Sequence, residues 1–143
     1  MSIHVIRIIR ELTDTANLRK KSNSLYCVRS ATARWEPNTD IFENEQHVVI
    51  RLELAGVDKE NVSIKLSNGR IVVCGYRRNN LPGTENRYHQ LELQYGSFSK
   101  TITVPESLIH NDITAKFENG ILDIEINKES NAVEIPIAVQ EEK

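Results

Sequence analysis

Catalysis or metal binding requires polar side chains at defined spacing, and the candidates in this sequence are scattered. The four histidines stand at positions 4, 47, 89 and 110, without the neighbouring ligands of a zinc site. The chain contains no G-x-x-x-x-G-K-[ST] or G-x-G-x-x-G phosphate-binding loop and no G-x-S-x-G nucleophile turn. Acidic residues such as Asp123 and Glu125 alternate with apolar ones, so they are expected on outward strand faces, and nothing selects a carboxylate pair for glycoside hydrolysis. The sequence therefore predicts a protein that is not an enzyme and that binds no cofactor or metal.

The two cysteines, Cys27 and Cys74, also lack the C-x-x-C spacing of a metal or redox site. We expect both to be reduced thiols in a cytoplasmic protein. A disulfide between them stays open from the sequence.

Length and composition are those of one globular domain with additional arms. The chain has 143 residues, of which 39% are hydrophobic and 27% charged, and it has no apolar run of transmembrane length. Arg7, Arg10 and Glu11 interrupt the apolar N-terminus and no small-residue cleavage site follows, so we expect no secretory signal.

Charge divides the chain into a basic arm and an acidic body. Residues 1–34 carry seven Lys and Arg against Glu11 and Asp14, which is +5, whereas the whole chain has a net charge of −2. A basic arm can contact nucleic acid or anionic lipid. Apart from Tyr26, this arm lacks interleaved aromatic residues, so we expect no nucleic-acid partner and no stable membrane association.

The residues from Trp35 onward follow a strand pattern. "HVVIRLEL" and "VSIKL" alternate apolar and polar side chains, and later segments repeat the pattern up to Ile126. Asn68-Gly69 and Asn119-Gly120 each separate two such segments, which is a strong hairpin signal. Residues 78–87 form a loop that is long for a hairpin, and strand is expected again from Gln90. Seven or eight strands indicate an all-β fold, an antiparallel immunoglobulin-like β-sandwich.

Apolar stretches also occur on either side of this body. Near the N-terminus, Ile3, Ile6, Ile9 and Leu12 recur at close to helical spacing, so a short amphipathic helix is predicted there. Near the C-terminus, "VEIPIAV" holds Ile135, Pro136 and Ile137 between polar segments. Proline resists helix, and in an extended segment Ile135 and Ile137 point the same way.

Four segments, in order, resemble the small heat-shock proteins and their α-crystallin domain. They are "LAGVDKENVSIKL", "YGSFSKTITVPESL", "AKFENGILDIEI" and the "IPI" of the C-terminal stretch. Ala55, Leu93 and Lys100 depart from the family pattern, which has proline at the first position and arginine at the other two. The matched signature residues are Gly56, Gly96, Phe98, Ala115, Asn119, Gly120 and Leu122.

The resemblance implies an ATP-independent holdase chaperone that binds partly unfolded client proteins and suppresses their aggregation. It implies dimers that assemble into larger homo-oligomers in the cytoplasm. The expected organisation is a variable, flexible N-terminal arm at 1–34, an α-crystallin β-sandwich at 35–127 and a C-terminal tail at 128–143.

The resemblance also implies where the contacts lie. A short strand near Tyr88-His89 would pair with an edge strand of the partner, for which 39–42 is the candidate. The tail would enter an apolar groove between two strands, and the N-terminal stripe would contact clients. The dimerisation-loop residues are Arg87, Tyr88, His89 and Glu92; the groove residues are Val62, Ile64, Leu66, Ile113, Ala115 and Phe117; the client-contact residues are Ile3, Ile6, Ile9 and Leu12.

Two other classes of binding protein, and two other roles for single segments, stay open. A monomeric co-chaperone of the related CS-domain fold would not need the Ile-Pro-Ile tail. A sugar-binding sandwich would need exposed aromatic residues, and Trp35 at the domain boundary is expected to be an anchor instead. The tail could also fold back on its own domain, and the N-terminal stripe could pack inside the oligomer.

Overall fold

The computed structural model describes residues 3–10, 33–83 and 85–129. These residues form nine strands and two single-turn 3-10 segments, Lys59–Asn61 and Glu106–Leu108. In chain order the strands are β1 His4–Val5, β2 Ile8–Arg10, β3 Thr39–Glu43, β4 His47–Glu53, β5 Val62–Ser67, β6 Arg70–Arg77, β7 Gly96–Thr103, β8 Ile113–Glu118 and β9 Ile121–Asn127. Within these three ranges no helix has the length and apolar character needed to cross a membrane.

The strands form two facing sheets. One sheet has the order β1-β8-β9-β4-β3 and the other has the order β2-β5-β6-β7. Every pairing between these strands is antiparallel except that of β2 with β5, which is parallel. The predicted all-β sandwich is confirmed.

Both Asn-Gly pairs form the turns of β-hairpins, as the sequence predicts. Asn68 and Gly69 have φ of 52° and 71°, and Asn119 and Gly120 have φ of 51° and 76°. Positive φ at both central positions belongs to the type I′ turn, whose twist matches that of the flanking strands. These turns set the register of β5 with β6 and of β8 with β9.

The core lies between the sheets and is filled by alternate side chains of each strand. On β4 the inward residues Ile50 and Leu52 are buried, while Arg51 and Glu53 between them are exposed. The same alternation buries Ile64 on β5 and Ile124 on β9. Period-two burial is what the sequence pattern predicts for these strands.

Trp35 anchors the start of the sandwich, as expected from its position. Its ring is buried and packs on Phe98 with the centroids 5.1 Å apart. The indole N–H donates to the carbonyl of Gly96 over 3.1 Å, and the Arg77 guanidinium carbon lies 4.2 Å from the ring centroid. Burial leaves no exposed indole face of the kind that would bind a sugar.

Three local predictions are wrong. Residues 3–10 contain two short strands where a helix was predicted. Residues 90–95 are not strand, because β7 begins only at Gly96. Cys74 is buried and disulfide-bonded instead of a reduced thiol, and Cys27 lies outside the described residues.

Candidate functional site

The residues predicted to line the groove lie at one side edge of the sandwich, where β5 of one sheet faces β8 of the other. Each of these strands is paired along one side by its hairpin partner, so its other side is available to a further strand. Ile64 and Phe117 are buried in the common core, and Ile113 is half-buried at its margin. The other predicted groove residues, all buried in the same cluster, are Val62, Leu66 and Ala115.

Residues 3–10 fill this groove. His4 and Val5 pair with Phe117 and Lys116 of β8, and the Ile6 N–H donates to the Ala115 carbonyl over 3.2 Å. The chain then crosses to the other sheet, where β2 pairs with β5 in the register Ile8 to Ile64. One short segment therefore bridges the edges of both sheets.

Side chains of this segment alternate between the groove and the surface. Ile6 and Ile8 are half-buried and pack against the core cluster. Ile3, Val5 and Ile9 point outward and are 59%, 79% and 47% exposed. The helical stripe proposed for client contact is therefore divided, because Ile6 faces the groove while Ile3 and Ile9 face outward.

Two polar contacts hold the ends of the segment. Near its start, Nζ of Lys59 lies 3.0 Å from Nδ1 of His4. Near its end, Nη2 of Arg10 donates to the Asn111 carbonyl over 2.7 Å. His4, Ile8 and Arg10 were not predicted from the sequence to lie at this edge, although the alternation in "IHVIRIIR" is a strand signal that includes them.

Leu12 and the tail residues Ile135, Pro136 and Ile137 lie outside the described residues. The groove prediction for the tail therefore stays a prediction, as does the placement of Leu12 among the client-contact residues.

The opposite edge of the same five-stranded sheet is β3. It pairs with β4 on one side, and none of the strands in residues 3–10, 33–83 and 85–129 pairs with its other side. Ile41 and Phe42 on β3 are 58% and 44% exposed. An open edge with exposed apolar side chains is a template for a strand of another chain.

The long loop between β6 and β7 supplies further exposed apolar surface. Tyr88, Leu91 and Leu93 are exposed, as are the predicted dimerisation residues Arg87, His89 and Glu92. In the single chain, residues 85–95 contain no strand. A strand near Tyr88-His89 thus stays a prediction about the dimer.

The signature residues prove to be packing and turn positions. Ala115 and Leu122 are buried on facing strands of the second hairpin, and Phe98 is buried against Trp35. A Cβ at Gly120 would lie 2.8 Å from the Ala55 Cα, so glycine is required by both φ and space. Gly56 and Gly96 likewise have positive φ, at 75° and 92°.

Charged groups on the surface form structural pairs. Arg51 donates from Nε and Nη2 to the two carboxylate oxygens of Asp123 over 2.7 and 2.8 Å, which raises the pKa of Arg51 through that hydrogen bond and the opposite charge. Lys100 lies 3.8 Å from Glu36 across the start of the sandwich. Residues 3–10, 33–83 and 85–129 contain no group of three or more His, Cys, Asp or Glu placed to hold a metal ion.

Known proteins are similar to this chain in sequence. Residues 40–140 match the model of the Hsp20/alpha crystallin family. The chain is 36% identical over 104 residues to Small heat shock protein C4 of Rickettsia felis, covering 71% of this chain and 64% of that protein. It is 34% identical over 96 residues to Heat shock protein 16 of Schizosaccharomyces pombe, covering 64% and 66%. The matches to C4 and to Small heat shock protein C2 of Rickettsia felis thus span 64% and 60% of those relatives.

Solved structures agree with the fold. HspA from Xanthomonas axonopodis matches with a TM-score of 0.58 and 32% identity, over 68% of this chain and 97% of that one. A small heat-shock protein from Xylella fastidiosa, described as having a distinct high order structure, matches with a TM-score of 0.61 and 27% identity, over 78% and 100%. With its α-crystallin sandwich and these sequence matches, the chain belongs to the Hsp20/alpha crystallin family of small heat-shock proteins.

Proposed function

We propose that this chain is an ATP-independent holdase that binds partly unfolded proteins, suppresses their aggregation and assembles from dimers into larger oligomers in the cytoplasm. Family membership supports a chaperone function. The observation that carries the proposal is that strands at opposite sides of one sheet can take up a further strand, since β3 has an unpaired edge and β8 pairs with the short segment β1.

A strand-accepting edge is suited to unfolded clients because it binds them through the backbone more than through particular side chains. Main-chain hydrogen bonds to the edge supply affinity for any extended segment, and alternate apolar pockets add preference for branched side chains. The pairing of residues 3–10 with β5 and β8 supports this role for the β5–β8 edge. A protein that binds exposed apolar segments lowers their free concentration, which slows aggregation without covalent chemistry.

The dimer is proposed to form through the long loop and the β3 edge. Residues 78–92 reach across to a partner, and a short strand near Tyr88-His89 adds to the partner's β3. The exposed side chains of Ile41 and Phe42 would then be covered. Dimers are proposed to join further through Ile135 and Ile137 of the tail, which enter the groove of a neighbouring dimer.

The test is light scattering of a heat-aggregating client with increasing amounts of the purified chain and no ATP. We expect scattering to fall in proportion to the chain added and to vanish near stoichiometric amounts. The control is an equal mass of a stable protein outside this family. Scattering that equals the control at every ratio would contradict the holdase proposal.

A further inference from the structure

We propose that residues 3–10 compete with the C-terminal tail of a second copy for the groove between β5 and β8. The competition rests on the proposed function in one respect, since it takes the tail to be a ligand of this groove. It adds a second, resident ligand from the same chain, and so a control on assembly.

Hydrogen bonding makes the two ligands mutually exclusive. β5 pairs with β6 on one side and β8 pairs with β9 on one side, so each has a single remaining edge. Those edges are taken by β2 and by β1. A strand edge offers one row of backbone donors and acceptors, so a second extended segment cannot pair there at the same time.

The apolar positions are matched as well. Ile6 and Ile8 are two residues apart and both face the core, with Arg7 between them exposed. The tail carries the same spacing in Ile135 and Ile137, with Pro136 between them. Two branched side chains at period two would occupy the same pair of apolar positions in either ligand.

The two ligands differ in charge and in covalent connection. Lys65 and Lys116 are the register partners of Ile9 and Val5, and Lys116 also lies 3.8 Å from Glu125. The N-terminal segment brings the cations Arg7 and Arg10, whereas the tail sequence brings the anions Glu134, Glu141 and Glu142.

Because the two ligands carry opposite charges, salt affects their binding differently. The N-terminal segment is attached to its groove by the chain, which gives it a high effective concentration. The occupancy is therefore open to change with salt and protein concentration.

Displacement would have a consequence for client binding. With residues 3–10 in the groove, Ile6 and Ile8 are half-buried. When the tail of a second copy takes their place, both side chains become exposed together with Ile3, Val5 and Ile9. Assembly through the tail would thus release an apolar segment that the isolated subunit covers.

The test measures binding of a fluorescent peptide, residues 130–143, to the full chain carrying Ile135→Ser/Ile137→Ser, so that its own tail does not compete. In this background we compare Ile6→Ser/Ile8→Ser with the matched control Val5→Ser/Ile9→Ser, which alters the outward face of the same segment. Circular dichroism and Trp35 fluorescence verify that each variant is folded.

We expect the peptide to bind Ile6→Ser/Ile8→Ser about tenfold more tightly than the background. If residues 3–10 leave the groove free about one-tenth of the time, the apparent affinity of the peptide is about tenfold lower than its intrinsic affinity. The control should bind with the affinity of the background. Equal affinity for all three proteins, or no binding to any of them, would overturn the competition.

Amide hydrogen exchange supplies a second readout that needs no change in residues 3–10. Saturating peptide should accelerate exchange at the Ile6 amide, which donates to Ala115 in the occupied groove. Unchanged protection at Ile6 under saturating peptide would also overturn the proposal.

Aggregation suppression by the unmodified chain is measured alongside these experiments. A chain that suppresses aggregation but shows no competition loses only this inference. A chain that fails to suppress aggregation loses the holdase proposal.

Discussion

At the scale of single residues, the tightest constraints surround the aromatic pair at the start of the sandwich. Gly75 on β6 is the register partner of Phe98 on β7, and a Cβ there would lie 2.6 Å from Cζ of that ring. It would also collide with the backbone oxygen of Asn61. Glycine at position 75 of β6 thus leaves room for the Phe98 ring, which packs on Trp35.

Gly75→Ala should therefore destabilise the fold strongly. Overpacking of a tight core costs about 1–3 kcal/mol, and a clash with backbone cannot be relieved by a rotamer change, so we expect a loss of about 3 kcal/mol or more. Urea unfolding followed by Trp35 fluorescence measures it. Thr101→Ala, at an exposed position of β7, is the control and should lose less than about 1 kcal/mol. Equal stability of Gly75→Ala and the wild type would contradict this account of the packing.

At the scale of elements, the strand edges differ in whether another segment of the chain covers them. The outer edge of β7 is partly covered by the chain before β3, through the Arg34 N–H to the Ser97 carbonyl at 2.9 Å and the Ser99 N–H to the Trp35 carbonyl at 3.3 Å. The edges of β5 and β8 are covered by residues 8–10 and 4–5. Within the described residues, β3 has no such cover, which makes it the edge best suited to a dimer contact.

Removing the long loop tests this contact. Deletion of residues 79–87 should convert dimers into monomers, because the proposed strand near Tyr88-His89 could no longer reach the β3 of a partner. Mass is measured by light scattering after size exclusion, in the Ile135→Ala/Ile137→Ala background so that larger assemblies do not interfere. Asn79→Ser/Asn80→Ser keeps the loop length and is expected to keep the dimer. Dimers of unchanged mass after the deletion would place the contact elsewhere.

At the scale of the whole molecule, the two candidate contact edges lie on opposite sides of the sandwich. In the order β1-β8-β9-β4-β3, β3 ends the five-stranded sheet on one side and the groove strand β8 lies toward the other. A subunit with contacts on opposite sides can bind two neighbours at once, which is the requirement for assembly beyond a dimer.

Loss of the tail contact should then stop assembly at the dimer. Burial of two Ile side chains is worth roughly 3–6 kcal/mol before association costs, a weak contact that becomes effective when several act together. We expect Ile135→Ala/Ile137→Ala to reduce the mass measured by light scattering to that of a dimer. Glu134→Ala/Ala138→Ser alters the alternate positions and should keep the full assembly. A full-size assembly of Ile135→Ala/Ile137→Ala would show that other contacts hold the oligomer.

The sequence alone determined the features that depend on neighbours along the chain. Period-two alternation identified the inward faces of the strands, since a strand exposes one face to each side of the sheet. Asn-Gly pairs identified the β5–β6 and β8–β9 hairpins because few residues adopt positive φ twice in succession. The four ordered motifs identified the family, and Trp35 was correctly expected to be an anchor.

Only the tertiary structure decided how residues 3–10 are arranged. Their β-branched residues fit both a helical stripe and an alternating strand, and local pattern does not separate the two in so short a run. The outer edges of β5 and β8 favour the strand conformation, because they supply backbone partners from residues that lie more than fifty positions away. The edge predicted to bind the tail is thus occupied by residues 3–10, an arrangement that depends on contacts between distant parts of the chain.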